Sequence, residues 1–410
     1  MDPQNRVKRT NKSRRDMKVT HLSTVDTLNP DALSGTQMWI SKSLRNQGLD
    51  FSDVNLTQLE TLLPPLEELT FQIKRWWQSV TRGLQRPHAW YAKRWEQAST
   101  RIGQKLKKSN PDVILTSMTP LATAMLETQV PIVYWTDATY QMVLGFYPEY
   151  LFHDTQTRRD GCELTERCLQ RAARLIFSSH WAARAATELH GIPVDRIRVV
   201  PFGPNLDISH SLADVRAMIK ARPSRPIKLL FVGKDWYRKG GQLVLDVAAT
   251  LHAAGLPVEL TLVGKYPDLK PLPSYVRCEA YLSKKDPAAM DKLKKLYREA
   301  HFLVLPTMAE TFGMVFCEAS AFGVPSLTTF VGGIPDVVKD HVNGMKFSLE
   351  ATANDYCDYI VKLMDNYEQY EALALSSFNE YQTRLNWQNA ASQVKTILEE
   401  VSEGCFEPSG

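Results

Sequence analysis

The sequence predicts two doubly wound α/β domains, each Rossmann-like, that face each other across a cleft. Its 410 residues correspond to two or three domains of about 150 residues each. Short apolar runs alternate with segments of helical periodicity, and strands without polar alternation are typical of parallel sheets buried on both faces. The alternation is interrupted by two proline clusters, over 201–205 and 222–226, which cannot continue a sheet.

The first series of elements fills residues 19–207 and follows a basic tail over 1–18. Strands are predicted where β-branched residues and leucines form short, unalternating runs. We predict strands at 19–23, 113–116, 132–135, 175–178 and 197–200, and helices that include 36–46, 121–128 and 180–189.

The second series begins after the proline clusters, and we assign residues 208–380 to it. In doubly wound sheets, ligands bind beyond the carboxyl ends of the strands, so we expect the ligand in the cleft between the two domains. We predict strands at 227–232, 258–263, 302–305 and 326–329, and helices that include 242–254, 287–298, 312–322 and 353–365.

The composition excludes several classes of protein. Apolar residues make up 44% and charged residues 23% of the chain, as in soluble globular proteins. No apolar run approaches the roughly 18 residues of a membrane-spanning helix, and the polar, basic start lacks the apolar core of a secretory signal. The six cysteines show no CxxC pair and no metal-ligand spacing, so we expect reduced thiols in a cytoplasmic protein.

Positive charge is concentrated in the N-terminal quarter. Residues 1–18 hold seven Lys/Arg against two Asp, and residues 71–108 hold ten Lys/Arg against one Glu. Within 71–108, apolar residues at helical spacing on both sides of Pro87 predict two amphipathic helices. Packing on the first domain explains that spacing, and peripheral contact with an anionic membrane or an anionic acceptor is the alternative. Nucleic acid is not expected as a partner, because no nucleic-acid-binding motif accompanies the charge.

The first motif with chemical meaning follows the strand predicted at 227–232. The chain there reads Leu-Leu-Phe-Val-Gly233-Lys-Asp-Trp-Tyr-Arg238-Lys239-Gly-Gly241, so Arg238 and Lys239 stand where a helix begins. Free backbone N–H groups and the helix dipole favour an anion at such a point, and the two cations could neutralise a diphosphate. A basic pair on the surface is an equally weighted alternative, since neither a Walker loop nor a GxGxxG fingerprint occurs in the chain.

The second motif follows the strand at 302–305 and contains two carboxylates, Glu310 and Glu318. If the whole segment were helical, eight residues would separate them by about 12 Å along the axis. That exceeds the roughly 5–9.5 Å between the paired carboxylates of glycosidases, but it suits one elongated ligand with sugar and ribose hydroxyls. In the alternative interpretation, Glu318 is a solvated helix residue and Glu310 only interacts with the helix N-terminus.

The spacing Glu-x7-Glu resembles that of the family 4 retaining glycosyltransferases. It lies within Ala-Glu310-Thr-Phe-Gly-Met-Val-Phe-Cys-Glu318-Ala and is followed by Gly-Val-Pro325 and Gly-Gly-Ile-Pro-Asp336. The resemblance extends from about residue 19 to residue 401 and is strongest over 227–345. It implies a GT-B fold, in which the first domain, 19–207, faces the acceptor and the second, 208–380, binds a nucleotide-sugar donor.

Two further segments are similar to the same family. The stretch from Gly233 to Gly241, together with Val263-Gly264, matches its donor domain. The sequence Arg384-Leu-Asn-Trp387 resembles the point at which the last helix, here 381–402, crosses back to the first domain.

The resemblance implies a role for individual residues of this chain. Arg238 and Lys239 would hold the diphosphate and stabilise the leaving phosphate, and Glu318 would bind the ribose hydroxyls. Glu310 would contact the donor sugar together with backbone amides of the residues that follow it. The implied donor site comprises Gly35, Thr36, Gly233, Arg238, Lys239, Gly264, Glu310, Thr311, Phe312, Gly313, Met314 and Glu318.

The chain departs from the family pattern at two points. Many members carry His-Asp at the end of the strand at 132–135, whereas this chain has Thr136-Asp137. Asp137 would then position sugar or acceptor hydroxyls, and a structural or helix-capping role is the alternative. The family's Gly-Gly loop reads Ser34-Gly35-Thr36 here. His153 and His180 are interpreted as structural residues, and entry of either side chain into the cleft is the alternative.

The resemblance implies a retaining hexosyltransferase whose catalytic residues are Arg238, Lys239, Glu310 and Asp137, and we expect it to be independent of metal. No Asp-x-Asp triplet, which would hold a divalent metal on the diphosphate, occurs in the chain. No cofactor is expected, the expected donor is a UDP-sugar, and the acceptor is a glycan, a lipid or a small molecule. The rival interpretations are a nucleotide-sugar hydrolase or epimerase, a phosphorylase, and a catalytically silent protein that binds sugar or membrane.

Overall fold

The computed structural model describes residues 17–23, 26–31, 35–55, 99, 102–153, 155–269 and 271–404. These residues form two six-stranded sheets, and every adjacent pair of strands is parallel. Both sheets are covered by helices, as parallel sheets require. The predicted fold class is therefore confirmed. We refer to the residues up to 207 as the first half and to those from 208 as the second half.

The first sheet lies in the first half and has the strand order β2-β1-β3-β4-β5-β6. Its strands are β1 Lys18–Ser23, β2 Asp50–Asn55, β3 Val113–Ser117, β4 Ile132–Thr136, β5 Arg174–Phe177 and β6 Ile197–Val199. The helices of this half are α1 Thr36–Arg45, α2 102–109, α3 Pro120–Met125, α4 Tyr140–Val143, α5 Thr155–Arg171 and α6 His180–His190, with 3-10 turns at Pro148–Phe152 and Val194–Arg196.

The second sheet has the order β12-β11-β10-β7-β8-β9, the arrangement of a dinucleotide-binding sheet. Its strands are β7 Ile227–Gly233, β8 Val258–Gly264, β9 Val276–Glu279, β10 Phe302–Leu305, β11 Ser326–Thr329 and β12 Gly344–Phe347. Its helices are α7 Leu212–Ala221, α8 Gly241–Ala253, α9 Pro287–Glu299, α10 Met314–Ala321, α11 Ile334–Val337, α12 Ala353–Asp365, α13 Tyr367–Thr383 and α14 Trp387–Ser402.

All nine strands predicted from the sequence are present, within two residues at either end. Three edge strands, β2, β9 and β12, were not predicted. Each carries polar residues among its apolar ones, as in the Asp-Phe-Ser-Asp-Val-Asn of β2, because an edge strand is buried on fewer sides. The helix expected at 312–322 starts later, since Gly313 precedes it with a φ of 89° and α10 begins at Met314.

The C-terminal helix packs on the first half of the chain. Trp387 lies against the rings of Trp135 and Phe202, with ring centroids 6.1 and 5.6 Å away, and its indole N–H donates to Pro204 O at 2.8 Å. A Cβ on Gly203 would come within 2.5 Å of the Trp387 nitrogen, so this close approach requires glycine. The predicted boundary at 380/381 falls inside α13, and the crossing helix itself starts at Trp387.

Most of the basic, tryptophan-rich stretch lies outside the described residues, as does the tail over 1–16. Its last turns form α2, in which Ile102 and Leu106 are buried in a cluster with residues of the first sheet. At this end of the stretch, the apolar stripe therefore packs on the core. None of the helices within the described ranges is both long and apolar enough to cross a bilayer.

Candidate functional site

The strand order of the second sheet places a crevice between β7 and β10. The chain leaves β7 for α8 and leaves β10 for α10 on opposite sides of this point, and ligands bind where the order reverses in doubly wound sheets. The loop after β7 carries Arg238 and Lys239, and the loop after β10 carries Glu310. The topology thus brings together both motifs that the sequence analysis singled out.

Glycines form the floor of this crevice. Gly233 and Gly264 end the adjacent strands β7 and β8 and are paired in register. Gly264 has a φ of 130°, and a Cβ there would meet the Gly233 carbonyl oxygen at 1.8 Å. Gly240, at the start of α8 with a φ of 73°, would place a Cβ 2.2 Å from Pro306 O. The ends of β7 and β8, and the loops after β7 and β10, approach each other this closely only because glycine has no side chain at these positions.

The guanidinium of Arg238 is held by groups on three sides. Its Nε donates to Asp235 Oδ2 at 3.2 Å, and its Nη1 donates to the Ala309 carbonyl at 2.7 Å. The ring of Tyr147 covers it, with the centroid 4.9 Å from Cζ. Nη2 donates to none of the described residues, so this part of the fork is available to an anion.

Lys239 and Glu310 form a buried ion pair. The ammonium donates to Glu310 Oε2, and the two side chains are only 12% and 11% exposed. Burial and the neighbouring Arg238 lower the pKa of Lys239 to about 7, because both disfavour its charged form. The carboxylate of Asp235 acts in the opposite direction.

Glu318 is buried as well, with 4% of its surface exposed. Its Oε1 accepts from Lys284 Nζ and its Oε2 from the Tyr297 hydroxyl, both at 3.0 Å. The interpretation of Glu318 as a solvated helix residue is therefore wrong. Lys284 also donates to Asn205 O at 3.1 Å, so this carboxylate is connected to the first half of the chain.

Asp137 meets the second half through Thr311. The Thr311 hydroxyl donates to Asp137 Oδ2 at 2.7 Å, and the Tyr147 hydroxyl donates to the same threonine oxygen at 3.2 Å. The Thr311 N–H in turn donates to Tyr147 at 3.0 Å. Burial raises the pKa of the Asp137 carboxyl. The hydroxyl of Thr136 donates to the Ala138 carbonyl, so the residue in the family's histidine position is engaged locally.

The glycine loop of the first half contacts α10. Gly35 precedes α1 with a φ of 90°, and Thr36 donates to the sulfur of Met314 at 3.0 Å. The Asn205 amide donates to the same sulfur at 2.8 Å. Gly35 and Thr36 thus lie beside the N-terminus of α10, although neither contributes to the wall of the cavity between the motifs.

That cavity has a volume of about 270 Å³ and contains most of the predicted donor residues. Four cationic side chains and two carboxylates line it, so the wall carries net positive charge. Phe312 is buried against Phe202, with ring centroids 5.3 Å apart, and its side chain is a packing group. The predicted residues in the wall are Gly233, Arg238, Lys239, Gly264, Glu310, Gly313, Met314 and Glu318, whereas Gly35, Thr36, Asp137, Thr311 and Phe312 lie outside it.

The remaining histidines of interest are paired with side chains of the described residues. His180 Nδ1 lies 2.5 Å from Asp336 Oδ1, which joins α6 to the Gly-Gly-Ile-Pro-Asp segment, and His153 Nδ1 lies 2.6 Å from the Tyr140 hydroxyl. Neither histidine contributes to the wall of the cavity. Within the described ranges, no group of three or more His, Cys, Asp or Glu side chains is arranged as a metal site.

Sequence reasoning missed four residues around the cavity. Lys234 and Tyr281 contribute to the wall, with the Lys234 ammonium 4.2 Å from the Tyr281 ring centroid. Lys284 and Tyr297 hold Glu318. Lys284 lies between the end of β9 and the start of α9, the same strand-to-helix position that drew attention to Arg238. That position could have identified Lys284 from the sequence. The sequence contains no comparable signal for Tyr281 or Tyr297.

Two protein-family models match the chain and together span most of it. The model of group 1 glycosyl transferases matches residues 226–366, which contain the second sheet and the cavity. The model of glycosyltransferase family 4 matches residues 62–208, in the first half.

Curated relatives point in the same direction. The D-inositol 3-phosphate glycosyltransferase of Nocardia farcinica is 27% identical over 257 residues, which cover 60% of this chain and 56% of that protein. The protein of the same name from Arthrobacter sp. is 29% identical over 219 residues, 51% of each chain. The chain therefore spans about half the length of the curated relatives that it matches.

Solved structures resemble the whole fold. Sucrose-phosphate synthase from Thermosynechococcus elongatus has a TM-score of 0.68 at 16% identity and covers 95% of this chain and 100% of its own. HepE of Anabaena, in complex with UDP-glucose, has a TM-score of 0.59 at 16% identity, with coverage of 94% and 100%. At this identity the likeness concerns the arrangement of the two sheets.

Proposed function

Because this chain belongs to the family 4 glycosyltransferases and has their GT-B fold, we propose that it transfers a hexose from a nucleoside-diphosphate sugar to an acceptor hydroxyl, with retention at the anomeric carbon. The observation that carries the proposal is the buried pair of Lys239 and Glu310 beside the open edge of Arg238. A cation and a carboxylate at the strand-order switch point suit a ligand that has both a diphosphate and sugar hydroxyls.

The donor would replace the contacts that the two carboxylates make in the empty cavity. A diphosphate next to Arg238 and Lys239 would attract the lysine ammonium away from Glu310. Glu310 would then accept from a hydroxyl of the transferred sugar. Glu318, held by Lys284 and Tyr297, would accept from the ribose. Each buried polar group keeps a partner through this exchange, so no uncompensated charge is left in the site.

The chemical step would break the bond between the anomeric carbon and the diphosphate oxygen, and the bonding electrons would pass to that oxygen. Negative charge therefore grows on the leaving phosphate in an oxocarbenium-like transition state. Arg238 and Lys239 would stabilise this state more than the ground state, which is the requirement for catalysis. The acceptor oxygen would attack from the same face, and its proton would pass to the leaving phosphate.

Asp137 would act as a positioning group. Its carboxylate accepts from Thr311 and lies outside the cavity wall, so it is engaged with the segment that follows Glu310 and not with the space for the donor. Its raised pKa reflects burial. The role of a catalytic carboxylate that the sequence analysis gave to Asp137 is therefore not part of the proposal.

We propose uridine as the nucleoside of the donor. We propose a polyol or a polyol phosphate as the acceptor. HepE, which shares the fold, has been solved with UDP and with UDP-glucose. The curated relatives are named for D-inositol 3-phosphate. We further propose that no metal is needed, because the two cations at the diphosphate site offset its charge.

The proposal is tested by incubating the full chain with UDP-, GDP- and ADP-sugars, with and without inositol phosphates, glycans and lipid acceptors. Nucleotide release that depends on an acceptor, with an α-configured product by NMR from an α-configured donor, is the expected result. Release without any acceptor would indicate a hydrolase, and binding without release would indicate a silent scaffold. A tenfold fall in EDTA that Mg²⁺ or Mn²⁺ restores would contradict metal independence.

A further inference from the structure

We propose that Tyr147 is a positioning residue for the transfer reaction, which from the first half orients both Arg238 and the Glu310–Thr311 segment of the second half. The inference rests on the proposed function, because Arg238 and Glu310 are its donor-binding residues. Neither the motifs of the sequence nor the glycosyltransferase resemblance assigns Tyr147 a role.

The ring of Tyr147 restricts the guanidinium of Arg238. The ring centroid lies 4.9 Å from Cζ, and the Arg238 side chain is only 16% exposed. A cation over an aromatic face is attracted by the ring quadrupole, more strongly when water is excluded. With Nε on Asp235 and Nη1 on Ala309 O, the guanidinium is fixed on two edges and one face, and Nη2 remains for the diphosphate.

The hydroxyl of Tyr147 fixes the Glu310–Thr311 segment. It accepts from the Thr311 N–H at 3.0 Å and donates to the Thr311 hydroxyl at 3.2 Å, which donates to Asp137 at 2.7 Å. The chain of hydrogen bonds runs in one direction and ends on a carboxylate, so each hydroxyl has a defined donor role. Thr311 is bonded covalently to Glu310, and this arrangement therefore sets the backbone from which the Glu310 carboxylate extends.

Both interactions cross from one half of the chain to the other. Tyr147 lies between α4 and the 3-10 turn at Pro148–Phe152, whereas Arg238 and Thr311 follow β7 and β10. Thr136 donates to the Ala138 carbonyl and does not reach this segment. One phenol thus links the position of the first half to two groups of the donor site.

The two functions of the phenol can be separated by substitution. Tyr147→Phe keeps the ring over Arg238 and removes the hydroxyl, whereas Tyr147→Leu removes both. Tyr150→Phe is the matched control, because Tyr150 lies in the adjacent 3-10 turn with its ring centroid 6.4 Å from that of Tyr147. Donor KM and kcat with a UDP-sugar, and UDP affinity by calorimetry, are measured for the wild type and the three variants.

For Tyr147→Phe we expect kcat to fall about tenfold, the usual effect of one lost hydrogen bond, with donor KM and UDP affinity within about twofold of wild type. For Tyr147→Leu we expect UDP affinity to fall about tenfold as well, since the cation–π contact is lost. Tyr150→Phe should match wild type. A residue that only stabilises the fold is not expected to separate kcat from UDP affinity in this way. If Tyr147→Leu does not fold, the kcat of Tyr147→Phe alone tests the proposal.

Wild-type kcat in Tyr147→Phe would overturn the role of the hydroxyl, and wild-type UDP affinity in a folded Tyr147→Leu would overturn the role of the ring. Either result, obtained with a wild type that binds UDP and transfers sugar, leaves the proposed function intact. A wild type that neither binds UDP nor releases nucleotide from any donor would overturn the proposed function and, with it, the role of Tyr147.

Discussion

Lys239 and Glu310 lie on different loops, 71 residues apart in the sequence, and their side chains meet as a buried ion pair. The pair spans the point where the strand order of the second sheet reverses. A buried pair of this kind contributes little net stability, because desolvation offsets most of the attraction between the charges. In the proposed function, the diphosphate of the donor replaces the Glu310 carboxylate as the partner of the Lys239 ammonium.

Removing either cation of the proposed diphosphate site should reduce turnover strongly. We expect Arg238→Ala and Lys239→Ala each to lower kcat by about 10²–10³-fold, the typical loss when one group that stabilises transition-state charge is deleted. The affinity of both variants for a nucleoside diphosphate should fall more than their affinity for a nucleoside monophosphate.

Arg277→Ala is the control for this prediction, because Arg277 is 70% exposed on β9. Steady-state kinetics and calorimetry decide the outcome. Wild-type turnover in both cavity variants would remove these residues from the mechanism.

The sequence was sufficient to predict the central strands because they are fully buried. β3, β4 and β10 are buried at every position, so each appears as an uninterrupted apolar or β-branched run. The helix α5, by contrast, was not predicted. Its 17 residues are largely polar, with charged residues such as Arg158 and Glu163 along it. It packs mainly on α3, and its buried Cys168 and Leu169 join a cluster with residues of β4 and β5.

The candidate site was predictable where one local segment contained it. Arg238 and Lys239 follow a buried strand directly, and Glu310 follows another. Tyr147 could not be found in this way, because its contact with Thr311 joins residues 164 positions apart. Such a contact depends on how the two halves approach each other. The spacing of apolar and polar residues within a helix or strand contains no information about that approach.

The close approach of β7 and β8 predicts a sharp intolerance of side chains at Gly264. An alanine Cβ would lie 1.8 Å from Gly233 O at a φ of 130°, so the backbone must move and the floor of the cavity with it. We expect Gly264→Ala to lower the free energy of unfolding by roughly 2–4 kcal/mol and to weaken UDP binding.

Gly103→Ala provides the opposite control. Gly103 lies in α2, and among the described residues no atom outside the backbone of this helix lies within 4 Å of the added Cβ. Alanine should therefore stabilise the helix by about 0.5–1 kcal/mol. Urea denaturation measures both variants. Equal stability of Gly264→Ala and wild type would show that the two strands separate at no cost.

The charge of the N-terminal quarter predicts salt-sensitive binding to anionic membranes. Residues 1–18 and 71–108 contain seventeen Lys/Arg against three Asp/Glu, with Trp76, Trp77, Trp90 and Trp95 among them. Each cation near an anionic surface contributes roughly 1 kcal/mol, and tryptophan rings suit the interface. Co-sedimentation with anionic vesicles should be seen at low salt and lost at high salt. Equal co-sedimentation with anionic and neutral vesicles at low salt would contradict this prediction. It would favour the alternative, in which the apolar stripe packs on the core.

The lowered pKa of Lys239 predicts that donor affinity depends on pH. In the free protein this pKa is about 7, and a bound diphosphate raises it because it favours the charged ammonium. Below pH 7 the lysine is protonated in both states and affinity should be constant. Above pH 7 binding must take up a proton, so affinity should fall by up to tenfold per pH unit until the pKa of the complex is reached. Calorimetry with a UDP-sugar, in buffers of different ionisation enthalpy, measures both the affinity and the proton uptake.

Two variants identify the group that titrates. Lys239→Arg should abolish the pH dependence over this range, since a guanidinium stays charged. Glu310→Gln replaces the carboxylate that accepts from the Lys239 ammonium with a neutral amide. Loss of a negative charge beside the ammonium disfavours its charged form, so the pH at which affinity begins to fall should move below that of wild type. A wild-type profile that stays flat from pH 6 to pH 9, with no proton uptake, would mean that Lys239 remains charged throughout and that the carboxylate of Glu310 outweighs the effect of burial.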